Sequence, residues 1–62
     1  MSQIVIYKGI MVTPVEVFQG KIRVQTRNPG DAQKAGMPFK DMADGAAVFE
    51  ALVAEDELVA VD

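Results

Sequence analysis

The segment Val15-Glu16-Val17-Phe18-Gln19-Gly20-Lys21-Ile22-Arg23-Val24-Gln25-Thr26-Arg27 alternates on both sides of a Gln-Gly pair. Lys21, Arg23, Gln25 and Arg27 fall on one side, and Ile22, Val24 and Thr26 on the other, the period-2 signature of a half-buried strand. Upstream, Val15 and Val17 alternate with Glu16 and Phe18, and Gln19-Gly20 has the character of a two-residue hairpin turn. Such a turn sets Val17 opposite Ile22, Val15 opposite Val24 and Thr13 opposite Thr26 on the core side. It also sets Glu16 opposite Arg23 on the outer side, so the hydrophobic and charge patterns agree on one register.

Toward the N-terminus the arrangement repeats. Ile4-Val5-Ile6-Tyr7, a Lys8-Gly9 turn and Ile10-Met11-Val12 pair Ile6 with Met11 and Val5 with Val12, which makes a three-stranded meander. Pro14 removes a ladder donor from the long middle strand, so a bulge or bend is expected near Thr13; the alternative is a break that leaves 10–12 as a connector.

Toward the C-terminus, Asn28-Pro29-Gly30-Asp31 has proline and glycine in the central positions of a type II turn. A connector to Lys40 follows, with one helical turn expected over Asp31–Ala35 and closed by Gly36. From Met42 to Glu55 the apolar residues Met42, Gly45, Phe49, Leu52 and Val53 fall on one side at helical spacing, which predicts an amphipathic helix with Asp41 or Asp44 at its start. Residues 57–61 alternate again and predict a returning strand. The expected fold class is α+β, a small, mainly antiparallel sheet in the order β-β-β-α-β with one helix packed on one face.

With 62 residues, residues 1–62 form one small domain. A chain of that size buries only roughly 60% of the surface exposed when unfolded, so its stability is marginal unless association adds to it. There is no cysteine and no histidine, hence no disulfide and no thiolate or imidazole ligand set for zinc. The only serine is Ser2, which leaves nucleophilic triads without parts. Paired-carboxylate catalysis needs a concave pocket that so short a chain seldom builds. The expectation is a non-enzyme without cofactor.

Two motif readings fail on spacing. Placing Gly45 at the sixth position of a calcium loop leaves Lys40, Met42 and Ala51 where oxygen ligands are required. The glycines fit neither the dinucleotide fingerprint nor the phosphate loop; they are turn and cap residues. No apolar run approaches the roughly 20 residues that span a bilayer, and the N-terminus lacks signal-peptide character. A cytoplasmic, reduced compartment away from membranes is the expectation.

Charge is divided along the chain. All six basic residues precede residue 41 with only Glu16 and Asp31 against them, a net +4, whereas residues 41–62 hold seven acids and no base. This asymmetry is a clue to partners. The favoured reading is a protein-binding module, an inhibitor or adaptor, that docks on a basic partner through an acidic helix face and tail: Asp44, Glu50, Glu55, Asp56 and Glu57. Small inhibitors of phages and mobile elements that mimic nucleic-acid phosphates offer a class-level analogy. The second reading is nucleic-acid contact through Lys21, Arg23 and Arg27 on a strand face, opposed by the overall charge of −3 and the absence of an aromatic within the basic strand. The third is a small homo-oligomer, such as a homodimer formed through a sheet edge or opposed charges.

Overall fold

A computed structural model describes residues 4–61. Six strands form one antiparallel sheet: β1 (Val5–Tyr7), β2 (Ile10–Phe18), β3 (Lys21–Thr26), β4 (Phe39–Ala43), β5 (Ala46–Ala54) and β6 (Leu58–Ala60). A single α-helix, α1 (Pro29–Ala35), joins β3 to β4, and a 3-10 turn (Glu55–Glu57) joins β5 to β6. Across the sheet the order is β4-β5-β3-β2-β1-β6. The class is α+β as expected, and the element order differs.

The N-terminal meander follows the pattern of its residues. Val5 pairs with Val12 and Ile6 with Met11, while Val17 pairs with Ile22 and Glu16 with Arg23. Beyond Glu16 the register shifts by one: Pro14 meets Val24 and Thr13 meets Gln25. Val15 is the extra residue of a β-bulge, which places the irregularity beside Pro14, where a ladder donor is missing. The expected Val15–Val24 and Thr13–Thr26 pairs are therefore corrected. Val15 and Val17 are not core residues either; Val17 is 69% exposed. Val17 shares its face with Ile22 but lies outside the buried cluster.

The helix expected over 42–55 is instead the β4–β5 hairpin. Asp44 and Gly45 take positive φ, 52° and 78°, a two-residue turn of the kind that suits strand twist. Positive φ also marks Lys8-Gly9 and Gln19-Gly20, so three similar turns fold the meanders. β5 lies between β4 and β3, paired with β3 from Lys21↔Ala54 to Thr26↔Phe49. Its alanines favour helix locally, but six consecutive pairs with β3 satisfy the backbone and override that propensity. Asp41 does not cap a helix; its Oδ1 accepts from the Met42 N–H at 2.7 Å. The expected strand over 57–61 is shorter, 58–60, and follows the 3-10 turn.

The helix begins at Pro29, two residues before the expected Asp31–Ala35 turn, and absorbs the Asn28–Asp31 turn. Asn28 is its N-cap, accepting from the Asp31 N–H at 3.1 Å, and Pro29 stands at the first helical position. Proline presets a φ that suits a helix start as well as a turn. Gly36 closes the helix in the left-handed region, as expected, and the Met37 N–H donates to the Ala32 carbonyl at 2.8 Å. Thr26, the last residue of β3, is buried and its Oγ1 accepts from the Asn28 N–H, so strand end and cap are joined.

α1 lies over β2, β3 and β5. Its buried Ala32 and Ala35, one turn apart, bring the helix close to Val5, Tyr7, Ile10, Val12, Val24 and Val53, with Met37 filling the end. Val24 is fully buried. The core thus occupies one side of the sheet, and no element among the described residues covers the other.

Candidate functional site

Strand alternation assigns the uncovered face. Opposite the core side chains of β3 stand Lys21, Arg23 and Gln25, and their partners on β5 include Leu52 and Glu50. Ion pairs gather at the centre of this face. Arg23 Nη1 lies 3.2 Å from Glu16 Oε1 and its Nε 3.7 Å from Glu50 Oε2; Lys40 Nζ lies 3.4 Å from the same Glu50 oxygen. Gln25 Nε2 donates to Glu50 Oε1 at 2.8 Å. The Gln25 hydrogen bond, helped by Lys40 and Arg23 and opposed by partial desolvation, holds the Glu50 carboxyl below the ordinary glutamate range. Two acids and two bases close on one another here, leaving a neutral cluster.

The expected sites are therefore dispersed. Glu50 is enclosed by Arg23, Lys40 and Gln25 in mid-strand, and Asp44 sits on the β4–β5 turn with its Oδ2 4.0 Å from Arg27 Nη2. Glu55, Asp56 and Glu57 are exposed on the 3-10 turn, where Glu57 Oε2 accepts from the Ala54 N–H at 3.1 Å. No acidic helix face exists to unite the five, because the segment is a strand and its turns. Of the basic set, Arg23 and Arg27 are both ion-paired, with acids of the opposing set among their partners, and Lys21 stands exposed at the start of β3. Of the acids after residue 40, Glu50 and Asp44 are thus paired with bases from residues 1–40.

A different feature occupies the β6–β1–β2 corner of the open face. Ile6 pairs with Val59 on one side and Met11 on the other. The Val61 N–H donates to the Ile4 carbonyl at 3.4 Å, which continues the ladder by one step. Alternation then places Ile4, Ile6, Met11, Val59 and Val61 on one face. Met11 is 61% and Val59 64% exposed, Ile4 and Val61 are exposed, and Ile6 is half-buried. These five aliphatic side chains form a contiguous patch with no charged residue among them, on the scale of the few hundred Å² above which exposed apolar surface marks interaction sites. Between patch and ion cluster lies a shallow open depression of about 400 Å³ lined by Met11, Thr13, Gln25, Thr26 and Arg27.

Sequence reasoning paired Ile6 with Met11 but did not single out the patch. A signal was present: Ile4-Val5-Ile6-Tyr7 and Leu58-Val59-Ala60-Val61 are unbroken apolar runs, which in a strand put apolar side chains on both faces. Val5 and Tyr7 use one face for the core; Ile4 and Ile6 occupy the other.

The two sheet edges offer less. In β4, Lys40 is the extra residue of a bulge, and the closing Ala43–Ala46 pair of a two-residue hairpin turns the Met42 N–H outward, where Asp41 takes it. β6 has three residues, and the Leu58 N–H is held by the Glu55 carbonyl. Short strands, bulges and occupied donors are devices that blunt an edge against strand addition. Among the described residues no carboxylates converge as a metal-ligand set, and no helix is long and apolar enough to cross a membrane. No family model, curated protein or solved structure matches this chain.

Proposed function

We propose that the chain is a non-enzymatic protein-binding module that works through the open face of its sheet, with the aliphatic patch as the centre of contact. The observation that supports this reading is the contiguous, uncharged surface of Ile4, Ile6, Met11, Val59 and Val61 beside a self-neutralised ion cluster. Desolvating an aliphatic surface favours association, whereas Glu50, held by Arg23, Lys40 and Gln25, would have to leave those partners to bind another. The binding function expected from composition is retained; its surface moves from the acids to the sheet. Glu55, Asp56 and Glu57 remain as exposed rim charges that steer approach. Nucleic-acid contact through Lys21, Arg23 and Arg27 is the less supported reading, since Arg23 at the middle of that set is paired with Glu16 and Glu50 and the net charge is −3.

Affinity capture with the intact chain tests this. Met11→Glu or Val59→Glu places a charge in the patch at an exposed position, so folding persists and retention of the partner is lost. Glu55→Lys with Asp56→Lys leaves it largely intact. The reverse pattern would return the function to the acidic turn and remove the sheet face from it.

A further inference from the structure

Resting on the proposed function, we infer which group of the protein partner the open face recognises: an acidic side chain of glutamate length, seated in the depression beside the aliphatic patch, with its carboxylate on Arg27. Met11, Thr13, Gln25, Thr26 and Arg27 line that depression of about 400 Å³. One of the five is a cation and none is an acid, so the charge that complements it is negative. The lining also has an order. β2 and β3 pair Thr13 with Gln25, and two residues further in the same register Met11 stands opposite Arg27. A side chain that crosses from β2 to β3, a step of about 4.8 Å, passes from a thioether to a guanidinium. Two methylenes followed by a carboxylate match that order and that span.

Arg27 has capacity for this contact. Its approach to Asp44 is loose, with Nη2 4.0 Å from Oδ2 and the Asp44 side chain 88% exposed, and a surface pair of that kind contributes little. A guanidinium carries five donors in a planar fork and can grip a carboxylate with two of them. The other bases of the open face's ion cluster offer no such seat, because Glu16 and Glu50 hold Arg23, and Glu50 holds Lys40. The overall charge of −3 opposes an acidic segment at long range, which acts mainly on the rate of approach.

Titration of the full chain with a short peptide of leucine, valine, glutamate and leucine, capped at both ends, and with its glutamine counterpart, tests the inference through backbone amide chemical shifts. The expected result is movement at Met11, Thr13 and Arg27, with the glutamate peptide bound about fivefold more tightly at low salt and the difference shrinking as salt is raised. Arg27→Gln should erase the preference for glutamate, and Asp44→Asn, which frees the guanidinium, should keep or enlarge it. If Arg27 served only to hold the β4–β5 turn through Asp44, the two substitutions would act alike. That outcome, equal binding of the two peptides, or binding of neither up to millimolar concentration would each overturn the inference. If it is overturned while capture of the protein partner is still lost on Met11→Glu, only the acidic group is removed and the proposed function stands. If Met11→Glu changes neither peptide binding nor capture, both fall.

Discussion

Val24 and Val17 carry the same side chain and lie in the same hairpin, yet one is fully buried and the other 69% exposed. Membership of the cluster with Ala32 and Ala35 makes the difference, not hydrophobicity: Val24 belongs to it and Val17 does not. Val24→Ala removes two buried methyl-equivalents and leaves a cavity, a loss of about 2 kcal/mol in urea denaturation. Val17→Ala should stay within about 0.5 kcal/mol. Equal losses would contradict the bulged register. Glu50 supplies a second test at this scale. Its carboxyl titrates below the ordinary range in the fold, so its stabilisation is fully present above the unfolded glutamate pKa of about 4.3 and is lost as pH falls through the lower folded value. Glu50→Gln should therefore lower the unfolding midpoint at neutral pH, and the gap to the parent chain should close in strong acid. A gap that is independent of pH would mean that the ion cluster does not stabilise the fold through that charge.

At the scale of elements, the segment from Met42 to Ala54 distinguishes two competing physical descriptions. Met42, Gly45, Phe49, Leu52 and Val53 fit a helical stripe, and the alanines between them are good helix formers. The strand is hidden because both of its faces are partly apolar: Phe49, Ala51 and Val53 on the core side, Leu52 and Ala54 on the open side with Glu50. Alternation is legible only when one face is wet, as in Lys21–Arg27. The first hairpin and the 13–26 hairpin were thus legible from local turns and polarity, apart from the bulge, while β5 depends on pairing with β3, more than twenty residues away. The same reason kept the patch out of view, since Ile4, Val59 and Val61 meet only once β1 and β6 pair. Gly45→Ala separates the descriptions by sign. In a helix it would stabilise by about 1 kcal/mol; at φ 78° in a hairpin turn it should destabilise by about 1 kcal/mol. Asn28→Ala, which removes the cap of α1, should cost about 1 kcal/mol in the same assay.

On the scale of the whole molecule, a single sheet with one seven-residue helix is half of a layered fold. One face has its cover, and the other presents aliphatic surface at a corner and closed ion pairs at its centre. Across the division of charge in the linear chain, Glu50 joins Arg23 and Lys40, and Asp44 meets Arg27. A small domain that keeps apolar side chains on an open face gains stability whenever that face is covered, so binding and folding are linked: a partner at a hundred times its Kd adds about 2.7 kcal/mol. The most direct measurement is affinity capture with the intact chain, set against capture with its Met11→Glu variant and with its Glu55→Lys, Asp56→Lys variant. The account predicts that a partner retained by the intact chain and by the Glu55→Lys, Asp56→Lys chain is lost from the Met11→Glu chain, whose unfolding transition stays like that of the parent. A partner that the Met11→Glu chain still retains, or that is lost only when Glu55 and Asp56 are reversed, would contradict it.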